Sequence, residues 1–231
     1  IYTEKTFTAI YKNYNYRKNN FGKERYNYTI KRLGLKKNAN VLDLGCGFGY
    51  FLKYLKSKKI SYKGIEPSNE TANFCRNKLS LNVVSTKLEG EKNNFYNLIT
   101  LFDVLEHLKD PCKYFKIINR KLKKNAYCVA YTPNIHSLSY ALIGSEQNTM
   151  LPFEHLVFFN NKSLNYLAKK TGFKITKIET YGFDVMDFFL YKEFKDKKNY
   201  SKTFLKFTQL IQSIVDKSKL SNHFRITFKK I

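Results

Sequence analysis

Short apolar runs alternate with stretches of helical spacing along most of this chain, which predicts an α/β fold with a mainly parallel sheet. Residues 40–44 (NVLDL) form a brief apolar run closed by glycines, read as a first, buried strand. From Tyr50 to Lys58, Phe51, Leu52 and Leu55 fall on one side of a helix. A second strand is predicted over 62–65, a second helix over 70–79 and a third strand over 82–85. Residues 96–101 are apolar enough for a central fourth strand. The spacing of Phe115, Ile118 and Leu122 predicts a helix over 112–123, whose basic end suits the negative pole of the helix dipole. A fifth strand over 126–131 is stopped by Thr132-Pro133-Asn134.

Toward the carboxyl end, residues 163–171 read as a helix capped by Gly172, followed by an alternating strand over 173–180. Residues 187–219 are aromatic, Lys-rich and helical in pattern, and 224–229 form a last strand pairing with 173–180. Residues 2–33 read as one or two amphipathic helices. With no repeat and no Pro- or Gly-rich linker, 231 residues suit one domain. Its predicted parts are an N-terminal helical cap (1–35), a core (36–185), a helical insertion or lid (186–222) and the last strand (223–231).

The most informative chemistry follows the first strand: Asp43-Leu44-Gly45-Cys46-Gly47-Phe48-Gly49. Glycines there let the backbone turn sharply and approach a ligand where a Cβ would clash. The spacing is G-x-G-x-G, not the G-x-G-x-x-G of a dinucleotide loop, and the Lys-Ser/Thr of a P-loop is absent. The Asp43 carboxylate would repel a pyrophosphate but suit a ligand carrying an ammonium and a sulfonium, as S-adenosylmethionine does. Glu66, at the end of the second strand in GIEPS, is placed to accept hydrogen bonds from both hydroxyls of a ribose.

These segments resemble the class I S-adenosylmethionine-dependent methyltransferases. VLDLGCGFGYFL is similar to their first motif and GIEPS to their ribose-binding motif. YNLITLFDVLEHLKDP and EHLVFFNNKSLNYLAKKTGFKITKIET resemble the branch containing ubiquinone-pathway O-methyltransferases and bacterial sugar methyltransferases. The resemblance spans about residues 40–180 and implies a Rossmann-like, seven-stranded sheet of order 3-2-1-4-5-7-6, the last strand antiparallel. It further implies cofactor contacts at Asp43, Gly45, Cys46, Gly47, Glu66 and the Leu101-Phe102 turn. Two departures stand out. The usual Pro-Gly-Gly turn before the fifth strand is Lys124-Asn125-Ala126, and STKLEG replaces the acidic adenine-side signal.

Methyl transfer is an in-line displacement governed by alignment, and an alcohol acceptor gains from a base. His107 and His155 are the candidate bases. His155 could equally hold the strand ends by a structural hydrogen bond, and Glu106 reads first as satisfying backbone groups. Asp103, Glu106 and His107 would share one face of a helical turn and are a weaker candidate for a divalent metal, Asp103 being a shorter ligand than the Glu of the branch's Glu-x-x-Glu-His pattern. His136 is a lesser candidate and His223 is read as surface. Tyr11, Tyr14 and Tyr16 read as packing before they read as a lid.

Charge and composition refine this picture. The net charge is +24, yet only six of 42 basic residues are Arg, the side chain that nucleic-acid readers favour. The lysines are spread among Asn, Tyr, Phe and Ile, so a small-molecule acceptor is preferred over RNA or DNA. A carbohydrate or nucleotide-linked acceptor would be drawn by the positive field. No N-P-P-Y-like motif follows the fourth strand, which further disfavours a nucleic-acid substrate, and the intact loop and Glu66 disfavour a non-catalytic scaffold. Cys46, Cys75, Cys112 and Cys128 are scattered and read as free thiols. Together with the lack of a signal-peptide pattern or membrane span, they place the chain in the cytoplasm. The expectation is therefore an O-methyltransferase acting on a sugar or surface-polysaccharide precursor.

Overall fold

A computed structural model describes residues 14–147, 154–198 and 201–231. Its strands are β1 (Asn40–Leu44), β2 (Ser61–Ile65), β3 (Val83–Val84), β4 (Tyr96–Phe102), β5 (Leu122–Pro133), β6 (Phe173–Tyr181) and β7 (His223–Lys230). They form one seven-stranded sheet ordered β3-β2-β1-β4-β5-β7-β6, as the resemblance implied. The described chain gathers into two compact units. One holds the residues up to Leu101 with Arg120–Tyr127, the other Phe102–Asn119 with Cys128–Ile231.

In the first unit β1 is flanked by parallel partners, so Asp43 lies opposite Gly64 on one side and Thr100 on the other. Val41, Leu42 and Leu44 are buried, which is why this run lacks a polar face. The N-terminal helix α1 runs through Tyr14–Arg17, Lys18–Gly22, Lys23–Tyr26 and Asn27–Lys31, with π-type turns in the second and fourth pieces. Tyr11 and the other residues before Tyr14 lie outside the described residues. Helix α2 (Tyr50–Ser57) buries Phe51, Leu52 and Leu55, as their spacing requires. Helix α3 (Asn69–Asn77) starts one residue before the expected Glu70, because Ser68 caps it by accepting the Thr71 N–H at 3.3 Å. The third strand keeps only Val83 and Val84, paired with Gly64 and Ile65.

Helix α4 (Pro111–Lys121) stops two residues short of the expected end, and β5 begins at once with buried Leu122. Lys124-Asn125 is thus not a turn but part of the strand, Asn125 taking a left-handed φ of 61° that Asn tolerates better than most residues.

In the second unit β6 and β7 pair antiparallel from Phe173↔Lys230 to Tyr181↔His223. Phe115, Phe173 and Phe228 pack edge-to-face beneath them. Helix α5 (Leu138–Ile143) is capped by Ser137, and α6 (Asn161–Lys170) opens with a capping box between Asn160 and Ser163. The helical stretch expected over 187–219 is two helices, α7 (Asp184–Asp196) and α8 (Ser201–Lys217). No helix among the described residues is long and apolar enough to cross a membrane.

Candidate active site

In the first unit the loop after β1 is held by its own amides. Gly45 and Cys46 both donate N–H to the Ile65 carbonyl, at 2.8 and 3.1 Å, and Gly49 donates to the Cys46 carbonyl at 2.9 Å. The Gly47 N–H donates to the Glu66 carboxylate at 2.8 Å. A phosphate cradle needs such N–H groups turned outward, and here they are spent inward. Beside Gly47 a Cβ would meet nothing within 4 Å, so the loop borders open space at that residue. Gly49 is the opposite case. It has φ +68°, and a Cβ there would lie 2.6 Å from Leu81 and 3.3 Å from the Cys75 sulfur.

Glu66 is half-buried and also accepts the Ser68 N–H at 3.0 Å. Each carboxylate oxygen thus takes one amide and keeps capacity for one more donor, which suits the paired hydroxyls of a ribose. Asp43 is only 2% exposed and accepts the Thr100 hydroxyl at 2.6 Å. Burial pushes its carboxyl up to about 7, with Thr100 and Arg25 pulling down and the Glu66 charge pushing up. A buried carboxylate poised in this way gains most from an incoming cation. Cys46 is buried, and its thiol and that of Cys75 both lie against the Gly47 carbonyl, at 3.9 and 3.3 Å. The side chain of Leu101 is fully buried, so it offers a ligand no side-chain contact.

The second unit carries the titratable cluster. A short 3-10 turn, Leu105–His107, follows β4. Glu106 is buried, accepts the Thr132 hydroxyl at 2.9 Å, and lends its backbone carbonyl to the N–H groups of Leu156 and Val157. These two bonds fix the segment carrying His155, whose Nε2 lies 4.0 Å from a Glu106 oxygen. Burial pushes Glu106 up to about 7, its own N–H pulling down, the Asp103 charge pushing up and Thr132 pulling down. His107 is exposed, and its ring stands 4.8 Å from that of His155. Its Nδ1 lies 2.7 Å from the Glu154 carbonyl. A carbonyl only accepts, so Nδ1 carries the proton and Nε2 presents a lone pair.

Glu106, His107 and His155 bring their ligand atoms within 4.8 Å of one another, a carboxylate and two imidazoles that could hold a divalent metal. The expected partner Asp103 is not in this group. The helical turn that would have aligned it is absent: Asp103 has φ +60° and Val104 φ −130°, so neither residue is helical and the 3-10 turn begins only at Leu105. Phe102 is buried against Tyr131, their rings 4.7 Å apart, and serves as core. His136 is exposed. His223, read from the sequence as surface, is half-buried, 4.0 Å from the Asp103 carboxylate. Tyr14 is buried and donates its hydroxyl to the Phe48 and Gly49 carbonyls, whereas Tyr16 is 69% exposed.

Sequence reasoning missed Thr100, Thr132 and the Glu154 carbonyl. Thr100 had a weak signal, a lone hydroxyl in the apolar strand LITLF. The carbonyl had none, since any residue supplies one.

A methyltransferase-domain family model matches residues 16–178. Among curated proteins, the chain is 25% identical to a ubiquinone biosynthesis O-methyltransferase of Nitrosomonas europaea, across 64% of this chain and 69% of that one. It is 28% identical to the protein of the same name from Pelagibacter ubique, across 65% and 68%. Among solved structures, a SAM-dependent methyltransferase from Archaeoglobus fulgidus superposes with a TM-score of 0.59 at 23% identity, covering 90% of this chain and 94% of that one.

Proposed function

The chain belongs to the methyltransferase-domain family and is an S-adenosylmethionine-dependent methyltransferase, and from that premise we propose that it methylates a hydroxyl of a small molecule. The cofactor supplies a methyl group made electrophilic by a positively charged sulfur. In the first unit, Glu66 would hold the ribose and Asp43 the ammonium, with Gly47 leaving room beside them. The His107 Nε2 lone pair would receive the acceptor proton as the hydroxyl oxygen becomes a nucleophile. A positioned general base contributes roughly 10²- to 10⁴-fold. The observation that carries the reading is the 2.7 Å contact of His107 Nδ1 with the Glu154 carbonyl, because it makes Nε2 the basic atom.

Two relatives are named ubiquinone biosynthesis O-methyltransferases, which supports oxygen as the methylated atom and an acceptor related to ubiquinone precursors. A second reading, a sugar or nucleotide-linked precursor of a surface polysaccharide, draws support from the net charge of +24, which attracts anionic substrates. The test is equilibrium dialysis with S-adenosylmethionine and S-adenosylhomocysteine. Wild-type protein should bind both, and Glu66→Ala should weaken binding by roughly 10- to 100-fold, the worth of hydrogen bonds to a charged group. A wild type without affinity for either compound would refute the reading. Turnover abolished by a chelator and restored by one divalent cation would move His107 from base to metal ligand.

A further inference from the structure

Helices α7 and α8 pack together and sort their residues by face. The inward face of α8 carries Thr208 and Val215, both buried, and Gln212, which accepts the Val185 N–H at 3.1 Å. Carboxylates turn inward as well. Asp184 is buried and accepts the N–H groups of Ser139 and Asn222, at 3.1 and 2.9 Å. Asp187 accepts the Asn222 side-chain amide at 2.9 Å, and Asp216 accepts the Gln212 amide at 2.8 Å. Asp196 is paired with Lys192 at 3.0 Å, and Glu193 is half-buried.

The outer faces are apolar and basic. Leu210 and Ile214, one turn apart on α8, are 66% and 62% exposed, and Ile211 is exposed beside them. Leu220 is exposed just past the helix, close in the chain to exposed Lys217 and Lys219. Helix α7 repeats the pattern. Leu190 and Phe194, again one turn apart, are exposed, Phe194 to 85%, and exposed Lys195, Lys197 and Lys198 follow. Large apolar side chains gathered in this way on a surface call for a cover. A second copy of the chain is a poor one, since it brings the same lysines and a net charge of +24. A protein partner is disfavoured because Lys is depleted from protein interfaces. An anionic bilayer suits both halves of the pattern: its acyl boundary takes the apolar side chains and its headgroups take the ammonium groups.

We propose that the outer faces of α7 and α8 dock the protein on an anionic lipid surface. The helices lie in the plane of the interface, with Leu210, Ile214, Leu190 and Phe194 at the acyl boundary and the lysines among the headgroups. The inference is independent of the methyltransferase reading, because it uses no residue of the cofactor loop or of the titratable cluster.

The full chain is mixed with vesicles of phosphatidylcholine, alone or with phosphatidylglycerol, and binding is read by flotation. Wild type should bind the anionic vesicles at least about tenfold more tightly than the neutral ones. Leu210→Ser combined with Ile214→Ser should weaken that binding by about tenfold or more, while the melting temperature and S-adenosylhomocysteine affinity stay at wild-type values. The chain has no tryptophan, so Leu210→Trp supplies a single emission probe and keeps an apolar side chain, which reads the face even if serine costs stability. Its emission should shift to the blue on the anionic vesicles as the indole leaves water. Failure of wild type to bind the anionic vesicles overturns the proposal. So does equal binding by wild type and the serine variant, or a bound Leu210→Trp protein with unshifted emission, either of which means adsorption of a basic protein by charge alone. Self-association of wild type that the serine variant abolishes would assign the face to a second copy and overturn it too.

Discussion

The two units solve the problem of placing chemistry in different ways. In the first, the geometry of the proposed cofactor site comes from backbone: the loop amides are spent on Ile65 and Glu66, and one glycine leaves space where a side chain would stand. In the second, chemistry comes from side chains brought from distant positions, Glu106 and His107 after β4, His155 before α6 and His223 at the start of β7. A backbone cradle is hard to alter without disturbing the fold. A side-chain cluster can be altered one residue at a time. Substitutions in the two units should therefore separate stability from turnover.

The largest effect is expected at His107. His107→Gln removes the proposed base and keeps the size, so kcat should fall by roughly 10²- to 10⁴-fold. Because His107 is exposed, the melting temperature and S-adenosylhomocysteine affinity should stay at wild-type values. A loss of cofactor affinity in this variant would erase the distinction between the units.

Asp43→Asn should act through stability as well as binding. The folded carboxyl titrates at about 7 against an ordinary 3.8, so the folded protein holds this proton more tightly than the unfolded chain. Its stability contribution is complete below about pH 4, declines as pH rises toward 7, and is flat above; over that window the loss approaches ~4 kcal/mol. The amide does not titrate, so the variant should gain on wild type as pH rises from 5 to 8, while its affinity for S-adenosylmethionine falls. Parallel melting curves for the two proteins across that range would show that Asp43 is not the buried, proton-retaining group described.

Gly49→Ala comes next. It forces a Cβ into φ +68° and to 2.6 Å from Leu81, costing about 2–4 kcal/mol from the left-handed backbone and the overpacking together. Calorimetry should find a lower melting temperature; an unchanged one would mean that Leu81 yields freely and the loop is less constrained than its geometry implies.

How much of this could be read from the sequence follows the same division. Asp43, the three glycines and Glu66 were legible because a backbone cradle is written as contiguous residues with a strand on either side. The sheet order followed from the family resemblance those residues carry. Element ends were less legible: α4 yields to β5 at Leu122 because that side chain enters the core, which helical spacing alone does not reveal. The titratable cluster of the second unit was legible only as residue types. Asp103 was assigned to the turn of Glu106 and His107 on helical periodicity, but a left-handed residue breaks that periodicity. His223 looked like surface because Asp103, which stands beside it, comes from a distant part of the chain.

Tyr14 offers the finest test of the contrast, since it is a side chain serving the backbone-built half. Its hydroxyl donates to the Phe48 and Gly49 carbonyls at 3.1 and 3.2 Å, and its ring packs 5.1 Å from that of Tyr50. Burial raises its pKa well above the ordinary value, so it remains a protonated donor at any working pH. Tyr14→Phe keeps the ring and removes the donor, leaving two buried carbonyls short of one partner, a cost of about 1 kcal/mol. The melting temperature should drop by roughly 2–4 °C. Affinity for S-adenosylhomocysteine should hold within about twofold, because the loop is already fixed by its amides. A tenfold loss of affinity with the melting temperature intact would show that the cradle, too, depends on one side chain.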